Sequence, residues 1–517
     1  MPVPRIPSAP VADLSGLFST LGPAGRVRGV SRQQRLLNLL RQALRDGRWV
    51  AGTRLPASRE LAQREGMARN TVVYAYQQLV AEGWLLPGPG GTVVAPRGVT
   101  SPVPGTAEAA PRTPLTALPD GAGLSPGVAG RFSRRAQALM ATAREGGSEF
   151  LPFVPGVPDL NAFPWRSWAR HIQQAWGEVG ARQLAYASDV GDPELRLAIA
   201  QYLRARRGLH CTPDQVLVTA GAQTALDLCA RMLADPGDRV WMEHPGYPAA
   251  AAMLRTGGLR LEPVPVDTEG MVMDPDRWHS RRPRLVFVSP SHQYPMGSVL
   301  SLARRQTLLG LLRGSDAWVI EDDYDWEFVH SGRPLPPLQR LDPQAPVVYV
   351  GTFSKVMAPG LRLGYVVVPP WAVEPMSQGL RGVFRTGQQV EQRALARFIG
   401  SGAMARHLRR MGPLYARRQQ VLRQELAQWF GAAVAVHGGA AGMHLTVVFA
   451  QPVNDVALVE AAAALGVSAS PLSRYALPEA QAGAAGPSGL VLGYGMAPEG
   501  MIPSLVQRLH MAWRAVN

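Results

Sequence analysis

Lys355 is the single lysine among 517 residues; the other 52 basic side chains are Arg. An amine of this kind condenses with an aldehyde to a Schiff base, whereas a guanidinium stays protonated and is a poor nucleophile. G-C-rich codon usage would also thin out lysine, so its neighbours decide the matter. Within G-T-F-S-K-V-M-A-P-G-L-R-L-G-Y, Gly351 to Tyr365, the hydroxyls of Thr352 and Ser354 accompany Arg362, a planar fork matched to phosphate. Upstream, the apolar run Trp318 to Ile320 ends in Glu321-Asp322-Asp323-Tyr324. Asp322 and Tyr324, two apart on an extended strand, project to one side. Farther upstream, Gly221-Ala222-Gln223 precede a helical pattern whose free N–H groups and positive dipole end suit a phosphate.

These groups need elements to bring them together. Val347 to Val350 reads as a buried strand ending in a tight turn at Gly351. Val216 to Thr219, Arg239 to Met242 and Leu285 to Ser289 read as further short apolar strands, and Thr224 to Leu233 as a helix. Tyr247, in the loop E-H-P-G-Y-P, either stacks on a flat ring or packs its own loop. Strands alternating with helices after Phe150 predict an α/β domain around a mainly parallel sheet, over 148–517. Such sheets bind ligands beyond their strand C-termini, where Asp322 and Lys355 fall.

The wording S-K-x-x-x-P-x-L-R-L-G-Y resembles fold-type I pyridoxal-phosphate enzymes, and more closely the MocR/GabR group of transcription regulators. The resemblance implies pyridoxal 5'-phosphate held as an internal aldimine at Lys355. Asp322 would face the pyridine nitrogen and keep it protonated, which makes the ring an electron sink, and Tyr324 would bond the ring oxygen. Gly221, Ala222, Gln223, Thr352, Ser354 and Arg362 would hold the phosphate, with Tyr247 beside the ring. Tyr186, within A-Y-A-S-D-V-G-D-P-E-L-R, resembles the tyrosine that a homodimer sends to its partner's phosphate. The stretch H-L-R-R-M-G-P-L-Y-A-R-R from His407 resembles the group's helix in a small C-terminal α/β subdomain. Two departures stand out. Aminotransferases place an Asn before the proline of N-P-x-G, where this chain has Tyr294, so that ring contact is absent or supplied by His292 or Gln293. They also tend to carry an Arg for the substrate carboxylate where G-L-V-L-G-Y has Val491, leaving Arg474 as a substitute.

The N-terminal hundred residues hold thirteen Arg against five acids, about half of the chain's net charge of +15. Ser31 caps a predicted helix to Asp46, with Leu36, Leu39, Leu40, Ala43 and Leu44 on one face. Ser58 caps a second to Glu65, Gly66 turns the chain, and a third runs from Arg69 to Glu82. Val72, Ala75, Tyr76 and Leu79 recur at helical spacing, leaving Arg69, Asn70, Tyr74, Gln77 and Gln78 outward. Two helices about a Gly turn followed by the hairpin Trp84 to Val94 predict a winged helix-turn-helix over 31–96. The segment resembles the GntR type. By position, that resemblance implies DNA contacts from Arg59, Arg69, Asn70, Thr71 and, at the wing tip, Gly90. Where the family usually has Ser this chain has Ala68, which removes a helix cap and a phosphate contact.

Residues 1–30 read as a loosely held arm. A Pro-, Gly- and Ala-rich linker spans 97–147, long enough for the DNA-binding head to reach a neighbouring subunit. Cys211 and Cys229 match no metal or redox spacing and read as buried thiols of a reducing compartment, and no metal is expected. Without a signal-peptide pattern or a run of about 18 apolar residues, the expected location is cytoplasmic, away from membranes. A pI of about 10.6 points to a polyanionic partner. Two functions follow. One is a regulator of double-stranded operator DNA that senses an amine, an amino acid or the cofactor itself. The other is a working aminotransferase carrying a DNA-binding module. Val491 favours the regulator, with at most slow transamination.

Overall fold

The computed structural model describes residues 12, 31–88, 91–96, 131–140, 150–181, 190–384, 387–480 and 488–516. The chain divides into two compact units, 1–116 and 117–517.

The first unit is built from helices α1 (Arg32–Arg45), α2 (Ser58–Arg64) and α3 (Arg69–Ala81) and the hairpin strands β1 (Leu85–Gly88) and β2 (Gly91–Val94). Ser31 caps α1 by accepting the Gln34 N–H at 3.2 Å. The buried face of α1 is Leu36, Leu37, Leu40, Ala43 and Leu44. Leu37 thus takes the place expected of Leu39, because α3 packs on α1 from a direction that the periodicity of one helix does not specify. Ser58 is the first helical residue of α2 and Ala57 the residue before it, so the expected serine cap is absent. Ala68 likewise leaves α3 without a side-chain cap. The core is closed by Val72, Ala75, Leu79 and Tyr76, whose hydroxyl donates to the Pro56 carbonyl at 3.0 Å. Ala12, within the stretch read as a loose arm, is buried there, and its N–H donates to the Arg54 carbonyl at 2.8 Å.

The second unit contains an eight-stranded sheet of β3 (Val216–Thr219), β4 (Arg239–His244), β5 (Arg260–Asp267), β6 (Gly270–Met271), β7 (Leu285–Val288), β8 (Trp318–Asp322), β9 (Val347–Thr352) and β10 (Gly364–Val367). Their spatial order is β3-β10-β9-β8-β7-β4-β5-β6. The central strands β9, β8, β7, β4 and β5 run parallel; β10 is antiparallel to both its neighbours, and β6 is antiparallel to β5. Residues of β3, β7 and β9 are buried throughout, as expected of a sheet covered on both faces. The mainly parallel sheet and the winged head match the architecture expected from the sequence. The helix after β3 begins at Ala222, two residues earlier than its apolar pattern indicated, since the turn at Gly221 leads into it directly.

A smaller antiparallel sheet orders β11 (Val434–His437), β12 (His444–Phe449), β14 (Gly489–Gly493) and β13 (Ser470–Pro471). The long helix Ala403–Phe430, which carries the His407 stretch, packs with Ile502–Val516 in the same subdomain. His407 is buried there and pushed down to about 4 by desolvation, as a neutral core histidine. Within the stretch read as linker, Arg134–Met140 forms a helix packed on Pro248–Thr256. Both cysteines are buried free thiols, pushed up to about 11 for Cys211 and about 12 for Cys229 by desolvation.

Candidate functional site

Lys355 lies in the turn after β9, and its Nζ donates to the Gly156 carbonyl at 2.7 Å. It faces a cavity of about 500 Å³ at the C-terminal ends of the parallel strands. Asp322, Tyr324, Tyr247, Ala222, Gln223, Thr352, Ser354 and Arg362 line the same cavity. Residues up to 140 positions apart, Ala222 and Arg362, therefore meet where the sheet delivers them.

The acids that end β8 are sorted by the pleat. Glu321 turns away from the cavity and accepts the backbone N–H groups of Leu338 (2.8 Å) and Gln339 (3.2 Å). Asp323 forms a buried pair with Arg207 at 2.8 Å and accepts the Tyr349 hydroxyl at 2.8 Å. Asp325 meets His292 Nδ1 at 3.0 Å. Asp322 has no such partner: its Oδ1 is buried and makes no hydrogen bond among the described residues. Burial pushes its carboxyl up to about 7, the charges of Asp323 and Asp325 adding to the effect and Lys355 opposing it. An unpartnered buried acceptor facing a cavity is costly unless a ligand supplies a donor. The N–H of a protonated pyridine is such a donor.

Another part of the lining is suited to an anion. Gly221 caps the helix Ala222–Leu233 at φ +88, a conformation that L side chains rarely adopt, and no side chain caps its first turn. A Cβ there would sit 3.5 Å from the Arg362 guanidinium carbon, an ordinary contact, so the arginine lies beside this turn and the backbone conformation is what favours glycine. Ser354 donates its backbone N–H to Thr352 Oγ1 at 3.2 Å, which holds both hydroxyls in one turn. Carboxylate, amine and anion seat thus line one cavity and suit the nitrogen, aldehyde and phosphate of pyridoxal phosphate. Tyr247 meets Tyr294 edge to face at 5.7 Å on the remaining wall, and the Tyr324 hydroxyl lies 3.1 Å from His292 Nδ1.

The two departures from the aminotransferase pattern take definite places. Neither His292 nor Gln293 lines the cavity. His292 is committed to Asp325, while the Gln293 amide donates to the Pro245 and Tyr294 carbonyls and its Oε1 accepts the Met296 N–H. Tyr294 itself lines the cavity instead. Val491 is fully buried on β14 against Leu472 and Tyr475, whereas Arg474 lines the cavity from an exposed position. Tyr186 lies outside the described residues. Gly156, Asp325, His444 and Tyr475 were not foreseen as lining residues. Asp325 had a signal, standing next to Tyr324; the other three come from distant segments with no local pattern.

In the first unit, Arg59 on α2 and Arg69 and Asn70 at the start of α3 are exposed. Thr71 instead faces inward and is buried, its N–H donating to the Ala68 carbonyl at 2.9 Å. The wing pairs Gly88 with Gly91, and Gly90 lies outside the described residues. Arg54, exposed and bridged to Val93 at the foot of the hairpin, is a basic residue that sequence reasoning passed over.

Residues 32–94 match the bacterial regulatory proteins of the gntR family, and residues 158–480 match aminotransferase class I and II. Over 485 residues the chain is 38% identical to the probable rhizopine catabolism regulatory protein MocR of Rhizobium meliloti, covering 91% of this chain and 92% of that one. The chain belongs to the MocR-type transcription regulators. Another such regulator, TauR of Rhodobacter capsulatus, is 35% identical and covers 82% of this chain and 84% of its own. Among solved structures, the α-aminoadipate aminotransferase LysN of Thermus thermophilus, in complex with N-(5'-phosphopyridoxyl)-L-leucine, aligns with a TM-score of 0.66. That pair is 26% identical and covers 75% of this chain and 98% of LysN. A MocR-type regulator thus carries a GntR-type DNA-binding head beside a unit with the fold of pyridoxal-phosphate aminotransferases. No helix among its described residues is long and apolar enough to cross a membrane.

Proposed function

We propose that this MocR-type regulator binds pyridoxal 5'-phosphate at Lys355 and senses an amine, an amino acid or the cofactor itself in the adjoining space. Its first unit would grip operator DNA through Arg59, Arg69 and Asn70, in the bacterial cytoplasm where that DNA lies. The observation that carries the reading is the unpartnered Asp322 Oδ1 in the same cavity as Lys355. When bound, the cofactor would supply an electrophilic carbon and an electron sink. Asp322 would hold the ring proton, Lys355 the carbonyl carbon, and Ser354 and Arg362 the phosphate. Tyr186 and a homodimer belong to this proposal through the resemblance alone.

Efficient aminotransfer is not part of the reading, because buried Val491 offers no grip on a carboxylate. The test is direct. Purified protein mixed with pyridoxal phosphate should gain visible absorbance, and borohydride should fix a pyridoxyl group on Lys355, located by peptide mass. A colourless protein with no adduct at that position would refute the proposal. Turnover of an amino acid and a keto acid at about 1 per second or faster would favour the aminotransferase instead.

A further inference from the structure

One wall of the cavity carries polar groups that the cofactor reading does not use: Asp325, His444, Tyr294 and Tyr475. Asp325 is 2% exposed, and its two oxygens lie 3.2 and 3.0 Å from one nitrogen of His292. A carboxylate has about four lone-pair sites, and a single ring N–H leaves most of them unused. His444, on β12, is 3% exposed and meets the Pro295 carbonyl through Nε2 at 2.9 Å. A carbonyl can only accept, so that nitrogen bears the proton and Nδ1 carries a lone pair. Burial, with His292 and Lys355 nearby, holds the ring neutral. The hydroxyls of Tyr294 and Tyr475 are 3.0 Å apart.

Lys355 and Arg362 belong to the cofactor's aldehyde and phosphate ends, and Arg474, which also lines the cavity, does so from an exposed position where solvent screens its charge. Val491 packs behind Tyr475 with no polar atom to offer. A carboxylate pushed against Asp325 would meet like charge and leave buried acceptors unpaired, whereas a hydroxyl or ammonium group would satisfy them.

We infer that this wall selects effectors that are primary amines bearing hydroxyl or ammonium groups and lacking a carboxylate, with Asp325 and His444 as the specificity-determining acceptors. The inference rests on cofactor binding at Lys355 and deepens that reading. Full-length protein loaded with pyridoxal phosphate should be titrated with two matched pairs, 2-amino-1,3-propanediol against L-serine and 1,4-diaminobutane against L-ornithine. Binding is followed by calorimetry and by the change in cofactor absorbance. The carboxylate-free member of each pair should reach half-saturation at least tenfold lower. Asp325→Asn and, separately, His444→Phe should each reduce that preference to less than threefold. Equal or tighter binding of the amino acids overturns the inference, above all if Arg474→Ala then removes it, which would make Arg474 the carboxylate grip. Because the pairs are compared on unaltered protein, the result stands even if a variant fails to fold. Protein that takes up cofactor but binds neither member of either pair refutes this inference alone; protein that takes up no cofactor refutes the reading beneath it.

Discussion

Lys355 Nζ and the carbonyl oxygen of Gly156 lie 2.7 Å apart, joining the turn after β9 to a loop 199 residues earlier. Gly156 has φ +79, and a Cβ built on it would sit 2.7 Å from the same nitrogen. Glycine is therefore favoured by its own backbone, and a side chain there would have to displace the end of the lysine.

Gly156→Ala should strain the loop by roughly 1–3 kcal/mol and push Lys355 off its position. Capture of pyridoxal phosphate, followed by visible absorbance, should weaken at least tenfold while the DNA affinity of the head is unchanged. Undiminished capture would mean that the lysine is not held through this contact.

Asp322→Asn keeps the shape and removes the charge. A hydrogen bond to a charged group contributes about 1.5–3 kcal/mol, so cofactor affinity should fall roughly 10- to 100-fold. Equilibrium dialysis with the variant and the parent protein measures this. Equal affinities would remove Asp322 from the ring nitrogen.

Acidity of the buried carboxyls makes stability depend on pH. Desolvation raises Glu243 to about 8, Glu321 to about 7, Asp322 to about 7 and Glu327 to about 8. Each binds its proton more tightly folded than unfolded, so its contribution is complete below about pH 4 and is lost as pH rises through about 7 to 8. Cofactor-free protein should show a melting temperature falling between pH 5 and pH 8. Bound cofactor should flatten that slope, since a ring N–H favours the Asp322 carboxylate. A slope indifferent to cofactor would count against the pairing.

Arg69→Ala should weaken operator binding by roughly 1–3 kcal/mol in a gel-shift or anisotropy titration, with the cofactor spectrum unchanged. Arg69 is exposed at the first position of α3, where no side chain caps the helix. Unaltered DNA affinity would move the recognition surface elsewhere, with Arg54 the next residue to test.

Ala68→Ser should supply the missing cap of α3 and stabilise the head by about 1 kcal/mol. Denaturation of the full chain, followed by a probe confined to the head, should show a raised midpoint. An unchanged midpoint would show that water already satisfies the first turn.

Much of this protein was legible before any coordinates. Lys355 announces itself because it is the only lysine, and Asp322 because acids interrupt an apolar strand; both are local signals of type and spacing. The helix-turn-helix was legible for the same reason, its apolar residues repeating every three to four positions. Packing direction was not, which is why Leu37 rather than Leu39 is buried and why Thr71 turns inward.

What tertiary structure decided is which acid stays free. Glu321, Asp322, Asp323 and Asp325 look equivalent in sequence, yet Arg207, His292 and two backbone N–H groups claim three of them and leave Asp322 without such a partner. Those partners come from segments scattered over more than a hundred residues, and His444 and Tyr475 reach the cavity from outside the large sheet. Periodicity and residue type fix which elements form, because both act over a few neighbouring residues. The lining of a cavity depends on long-range contacts between elements, whose geometry no local stretch contains.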